Sequence, residues 1–482
     1  MSKFNKKGTM VSRTVNLAGG EAFVMDPKLQ FVTLLLTSFV KDQFYRSEDE
    51  TIDTIRQLVH RMPDKKFAAK AAIYARTKFG MRSVSHLVAG EIANTVKGEE
   101  WTKNFYDKVV YRVDDMAEIF SFYTSQYGTP IPNSLKKGLA MAFDKFDEYQ
   151  LGKYRGEGRD VKLIDIVNLV HPKPVEKNSE ALKKLVKDEL RSKNTFQVGL
   201  SEIGKKDTTD EQKEEMKAAE WKRLIVEKKL GYFALLKNLR NILEQSPESI
   251  PYAITMLTDR SLIKKSLVLP FRFTTAIGEI EKVSGVDTTQ VRQVLVSLNT
   301  AIDLSLDNVP KFDGSTLVVL DESGSMNGQP IEIGALFAAV LVKANNADYM
   351  SFSDSARYIN LNPADSTLTI TKGIINGIES GGTNFHAIFE EANKVYNRII
   401  ILSDMQGWVG YDVPTKTFEQ YKTRVGANPI VYSFDLTGYG TLQMPQQNIY
   451  CLAGFSDKIF DIMKLLETDR NALVSEIENI EL

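Results

Sequence analysis

The sequence predicts a multidomain protein, with an α-helical array over residues 15–310 and a doubly wound α/β unit over residues 311–482. Three observations carry this. Through the first part, apolar residues recur at spacings of three and four. Near Pro310 the pattern changes to short β-branched runs that alternate with helical segments. The charge balance changes sign at the same place: residues 1–310 hold 49 Lys+Arg against 41 Asp+Glu, a balance of +8, and the rest hold 12 against 21, a balance of −9. A basic front attracts polyanions, with RNA the leading candidate. The bland alternative is scatter over two solvated surfaces.

The helical array is read first. Its apolar stripes include Ile52, Ile55, Leu58 and Val59; Met116, Ile119, Phe120 and Tyr123; Leu135, Leu139, Phe143 and Phe146; and Val291, Val294, Leu295, Leu298 and Ile302. Breaks such as Gly128-Thr129-Pro130 and Ser246-Pro247-Glu248 are short, which favours stacked antiparallel helix pairs. The charged stretch Lys205–Glu215 is expected to be a surface loop.

In the second part, Thr316–Leu320 and Arg398–Leu402 are continuous apolar runs, the pattern of parallel strands buried on both faces. Further strands are expected at Tyr349–Ser353, Arg357–Leu361, Pro429–Phe434 and Ile449–Leu452. Helices are expected at Ile331–Ala344, Leu368–Ile378, Ala387–Val395 and Lys458–Glu467. Such sheets bind ligands outside the carboxyl ends of their strands.

Oxygen-bearing residues gather at those ends. The first buried strand runs into Asp321-Glu322-Ser323-Gly324-Ser325, whose Asp321, Ser323 and Ser325 lie at spacing two. A second loop holds Thr383, and a third, after Leu402, holds Asp404. Two carboxylates and three hydroxyls suit a hard divalent cation, Mg²⁺ first, then Mn²⁺ or Ca²⁺. The structural alternative is a set of turn and helix-capping residues. The Asp-x-Ser-x-Ser, Thr, Asp set resembles the metal-ion-dependent adhesion site of von Willebrand A domains. That resemblance implies that Ser323, Ser325 and Thr383 ligate directly, that Asp321 and Asp404 often act through water, and that an acidic partner completes the coordination.

Pieces of the helical part resemble, in order, the TROVE module of telomerase, Ro and vault proteins. They are Gly19–Phe23, Phe44-Tyr45, Ala72–Arg76 with Gly80–Arg82, Arg112–Asp115, Lys136–Ala140, Lys153–Arg155, Asp165–Pro174, Ala234–Asn241 and Pro270–Phe273. Followed by an A-type domain, they resemble the Ro ribonucleoproteins. The resemblance implies a closed ring of HEAT-like helix pairs whose hole takes single-stranded 3′ ends of misfolded or small noncoding RNAs. It also implies an outer surface for Y-like RNA and, in bacterial members, work beside an exoribonuclease.

Candidate RNA contacts are Arg76, Arg82, Lys136, Lys137, Lys145, Lys153, Arg155, His171, Arg240 and Arg272. His171 lies in a His-x-Lys-Pro stretch of the family, and Lys145 at a basic family position. Asp144, Asp147 and Glu148 around Lys145 depart from the more basic family surface. Each candidate also has a structural reading: a helix end for His171, ion pairs between helices for Arg76 and Arg82, and side chains reaching out of a core face for Arg240 and Arg272. Tyr74, Tyr154 and Phe271 are assigned to the core.

The four histidines, His60, His86, His171 and His386, show neither metal-ligand nor triad spacing, and no phosphate-binding or dinucleotide loop is present. The expectation is a binding protein and not an enzyme. The rivals are a metal-dependent adaptor without RNA and a metal-dependent hydrolase. The hydrophobic share of 43% and charged share of 26% are those of globular proteins. The longest apolar run, Phe31–Val40, is too short to span a bilayer. With a polar, basic start at Met1–Lys7 and a single cysteine, Cys451, these features predict a cytoplasmic protein with no leader and no membrane or DNA partner.

Overall fold

In a computed structural model, residues 13–16, 19, 21–23, 27–37, 48–156, 158–191, 196–407, 409, 414–437, 443, 449–453, 463 and 472–482 are described. A short hairpin, β1 (Arg13–Val15) and β2 (Glu21–Phe23), leads into α1 (Pro27–Thr37), α2 (Glu48–Arg61), α3 (Lys65–Lys78) and α4 (Ser83–Thr95). Next come α5 (Trp101–Val109), α6 (Val113–Tyr127), α7 (Asn133–Ala142), α8 (Glu148–Lys153), α9 (Leu163–Val170), α10 (Ser179–Val186) and α11 (Phe196–Gly204). The array finishes with α12 (Asp210–Val226), α13 (Tyr232–Gln245), α14 (Ile250–Leu257), α15 (Arg260–Ser266), α16 (Phe271–Glu281) and α17 (Thr288–Ser305). The hairpin has no counterpart in the helical periodicity read from this part of the chain.

Local chemistry explains one departure from expectation. Lys205–Glu215 is not a loop throughout: α12 begins at Asp210. The Thr209 hydroxyl accepts from the Gln212 amide at 3.3 Å, and Asp210 and Glu211 sit in the first turn, where negative charge suits the helix dipole. High charge here marks an exposed helix and not missing structure.

The helices pack closely where a small residue allows it. A Cβ on Gly138 of α7 would lie 2.5 Å from the Lys103 carbonyl oxygen and 2.5 Å from Tyr106 Cβ, both on α5. Glycine therefore lets these two backbones approach, with Leu135, Leu139, Phe105 and Tyr106 buried around the contact.

The second part is a six-stranded sheet of β3 (Thr316–Asp321), β4 (Asp348–Phe352), β5 (Ala356–Tyr358), β6 (Arg398–Ser403), β7 (Ile430–Asp435) and β8 (Ile449–Ala453). Its order is β5-β4-β3-β6-β7-β8, and every pair is parallel except β4 with β5. Alternation along the strands divides two cores. Val318, Leu320, Ile400 and Leu402 pack with α18 (Gln329–Asn345) and α19 (Thr367–Asn376). Leu317, Val319, Ile399 and Ile401 pack with α20 (Phe385–Glu391) and α21 (Thr415–Val425). Burial on both faces is why these strands read as unbroken apolar runs. The expected helix at Lys458–Glu467 lies outside the described residues apart from Met463.

The α/β unit touches both ends of the helical array and so closes a ring. At one end, Phe271 of α16 stacks on Phe337 of α18 at 4.4 Å. Asp303 of α17 accepts from Lys343 Nζ at 3.1 Å and from the Thr367 hydroxyl at 2.5 Å. At the other end, α22 (Ala472–Glu478) packs on α3: Tyr74 donates to Glu476 at 2.8 Å, and Lys70 to the Glu478 carbonyl at 2.5 Å. Lys28 pairs with Glu478 at 2.6 Å. Among the described residues no helix is long and apolar enough to cross a membrane.

Candidate metal centre and nucleic-acid interface

β3 lies between β4 and β6, the point where chain order reverses, and its carboxyl end carries the oxygen cluster. Asp321 Oδ1 accepts from the Ser323 amide at 2.9 Å, and Asp321 Oδ2 from the Ser403 hydroxyl on β6 at 2.5 Å. The Ser323 and Ser325 hydroxyls are 3.3 Å apart. Glu322 turns away to form an ion pair with Arg357, so it stays out of the cluster. The loop of Thr383 is tied to the first loop by Gly324 N–H to Gly381 O at 3.2 Å, and Thr383 itself is buried.

Asp404, 0% exposed, accepts from the Gln406 amide through Oδ1 at 3.1 Å, while its Oδ2 has no hydrogen-bond partner among the described residues. Burial pushes Asp321 above the usual carboxylate range, against the hydrogen bonds from Ser323 and Ser403. Burial, and next the charge of Asp321, push Asp404 well above the usual carboxylate range, against hydrogen bonding from Ser325 and the Gln406 amide. Two buried acids that resist ionising together, one with an orphaned oxygen, are electrostatically suited to a divalent cation. Among the described residues no group of three or more His, Cys, Asp or Glu gathers as metal ligands would. The donor set is thus hydroxyl-rich and hard. Asp321, Ser323, Ser325, Thr383 and Asp404 are the residues that would hold the ion. Asp435, also fully buried, adds to the repulsion on Asp404 and was not anticipated from sequence.

The candidate RNA contacts divide sharply. Arg76 is 3% exposed, and its guanidinium donates to both oxygens of Asp115 at 3.0 Å. The assignment of Arg76 to an RNA surface is therefore corrected: it is the interior partner of a carboxylate. Arg82 pairs with Asp114 at 2.8 Å, Arg155 with Asp188, and Arg240 with Glu244 at 3.0 Å. Lys145 turns back onto α5, donating to the Val110 carbonyl at 2.7 Å and pairing with Asp107 at 3.1 Å. Burial lowers its pKa, against the pull of Asp107. Lys137, Lys153, His171 and Arg272 are exposed, and Lys136 is half-buried. The His171 backbone is left-handed, at φ 47°, and caps α9 through its amide to the Val167 carbonyl at 2.9 Å.

Sequence reading missed the aromatic partners of these cations. A cavity of about 750 Å³ opens beside α3, the α5–α6 turn and α8. Tyr111 and Tyr149 line it and are 60% and 44% exposed. Tyr149 and Lys153 share one face of α8 at i, i+4, a spacing the sequence displays but core-seeking patterns pass over.

A model of the TROVE domain matches residues 37–220 and 211–299, together more than half of the chain. Telomerase protein component 1 of Rattus norvegicus is 25% identical over 147 residues, covering 28% of this chain and 5% of that protein. RNA-binding protein RO60 of Deinococcus radiodurans is 24% identical over 259 residues, 48% of each chain. The matches thus span a small part of the telomerase component and about half of RO60. The crystal structure of the Deinococcus radiodurans RO (RSR) protein superposes with a TM-score of 0.62 at 18% identity, covering 94% of this chain and 99% of that one. The fold of helical ring and α/β unit is shared with that structure, and by the extent of the domain match the chain belongs to the TROVE-domain family.

Proposed function

We propose that this protein binds noncoding RNA, holding single-stranded 3′ ends of misfolded or small RNAs in its helical ring as part of RNA quality control in the cytoplasm. The observation that supports it most is family membership over the helical part, with a relative described as an RNA-binding protein. The physics agrees: exposed Lys137, Lys153 and Arg272 supply phosphate contacts, and a basic surface holds single strands without reading sequence. A Y-like RNA on the outer surface and an exoribonuclease beside the ring are parts of the same proposal. In this reading the protein is a binder and not an enzyme, and a divalent ion in the α/β unit, Mg²⁺ first, would supply a Lewis-acid contact to an acidic partner group.

Anisotropy of a labelled single-stranded RNA, titrated with full-length protein at rising salt, tests the RNA reading. Affinity should fall steeply, with a log–log slope of about −0.7 per phosphate neutralised. Absence of binding at low salt would reject it.

A second reading, a metal-dependent scaffold without RNA, is favoured by the pairing of Arg76, Arg82, Arg155 and Arg240 with acids of the same chain. RNA surviving on the protein through stringent washing, and identified by sequencing, separates the two.

A further inference from the structure

We propose that the cavity beside α8 is a nucleotide pocket, in which Tyr149 and Tyr111 stack the base of one unpaired residue of an RNA strand and Lys153 meets its phosphate. The assignment rests on the RNA reading above and narrows it to one place.

Three observations converge. The cavity's volume of about 750 Å³ lies in the range of small-molecule sites, roughly 300–1,000 Å³, and admits a base with its sugar and phosphate. Of the three tyrosines that line it, Tyr111 and Tyr149 are exposed, at 60% and 44%, and Tyr154 is half-buried. Exposing aromatic faces to water is unfavourable unless something covers them, and a nucleobase is a flat ring that does. The charge around them is positive: Lys108, Arg112, Lys145 and Lys153 line the cavity with a single acid, Asp107.

Those cations are not equivalent. Arg112 is held by Asp114 at 3.0 Å, Lys145 by Asp107 at 3.1 Å, and Lys108 donates to the Glu481 carbonyl at 2.8 Å. Lys153 has no ion pair among the described residues; its ammonium lies 5.9 Å from the Tyr149 ring centroid and 5.5 Å from that of Tyr154. A cation without an ion pair beside aromatic faces is placed to meet a phosphate whose base lies on those faces. Arg112, 4.6 Å from the Tyr154 centroid, packs against that ring in the wall of the cavity.

The same chemistry is carried by a free nucleotide, so the test includes both sources. A 4-thiouridine-containing oligouridylate is bound to full-length protein, cross-linked with long-wavelength light and mapped by mass spectrometry. Affinity is measured in parallel for wild type, Tyr149→Ala, Tyr149→Phe and Lys153→Gln, with uridine monophosphate as competitor. The pocket predicts cross-links in the peptides holding Tyr111 or Tyr149. It predicts roughly tenfold weaker binding for Tyr149→Ala, near wild-type binding for Tyr149→Phe, and a salt slope shallower by about 0.7 for Lys153→Gln. Both tyrosine variants should melt like wild type, because Tyr149 is exposed. Tight RNA binding with unchanged affinity in Tyr149→Ala and cross-links elsewhere would overturn the pocket and leave the RNA reading standing. Competition by uridine monophosphate at the strand's own affinity would overturn the strand as occupant. Failure of wild type to bind any RNA would overturn the functional reading and the pocket with it.

Discussion

The Ser403 hydroxyl donates to Asp321 Oδ2 at 2.5 Å, joining the carboxyl ends of β6 and β3. Parallel register places the two residues next to each other: Leu320 faces Leu402 one step earlier. One oxygen of Asp321 is thereby fixed, and Asp404, which follows Ser403 directly, is brought up against it.

From this arrangement a metal effect on stability is expected. Mg²⁺ should raise the melting temperature of wild type, because an ion that binds only the folded state stabilises by mass action, about 2.7 kcal/mol at a hundredfold excess over its Kd. Asp321→Ala should remove the response, leaving identical melts with Mg²⁺ and with chelator. Calorimetry of both proteins under both conditions is the check. A wild type indifferent to metal would argue for a set of turn and capping residues.

Arg76 and Asp115 make a different prediction. Breaking a buried pair from one side leaves an uncompensated charge, so Arg76→Met should destabilise by roughly 3–5 kcal/mol. Single-stranded RNA affinity, measured where the variant is folded, should hardly change. A large loss of affinity with little loss of stability would restore Arg76 as an RNA contact.

Asp115 also sets a pH dependence. Burial alone would raise its pKa, but the hydrogen bond and charge of His86, the charge of Arg76 and the Arg112 amide hold it well below its ordinary 3.8. A carboxylate lowered in the folded state contributes stability that is complete above its ordinary value and is lost as pH falls below it. The gap in urea midpoint between wild type and Asp115→Asn should therefore be widest near neutrality and shrink below about pH 4. A constant gap across that range would contradict the assignment.

Gly138 tests the packing of α5 on α7. Gly138→Ala places a methyl group 2.5 Å from a backbone oxygen, which no rotamer can relieve. Overpacking of this kind typically costs 1–3 kcal/mol, against a small gain of roughly 0.5–1 in helix propensity. Thermal unfolding should show net destabilisation; a more stable variant would mean that the helices separate freely.

Much of the fold was legible because its signals are periodic. The strands at Thr316 and Arg398 announce themselves as apolar runs, and the observed helix Gln329–Asn345 contains the expected Ile331–Ala344. Helices α21 and α22 were not anticipated: α21 buries only Thr417, Phe418 and Tyr421, too few to stand out among its polar residues. The oxygen cluster was legible because its loops follow buried strands. The cationic surface was not, since a basic residue reads the same in sequence whether it faces solvent, like Lys137, or Asp115, like Arg76. Only the fold, which brings α3 and α6 together, distinguishes them.

The closure of the ring has a consequence in time. Tyr74 and Glu476 are 402 residues apart, and Lys28 and Glu478 are 450 apart. At ribosomal speeds of about 5–20 residues per second, Tyr74 waits roughly 20 to 80 seconds for its partner to be made. During that interval the faces of α1 and α3 that will receive α22 are bare, and the newborn protein is an open arc. Contacts this distant along the chain form slowly even afterwards. Under the proposed RNA function, a strand present during synthesis would meet an arc open at its side, whereas one arriving later would meet a finished ring and have to present an end.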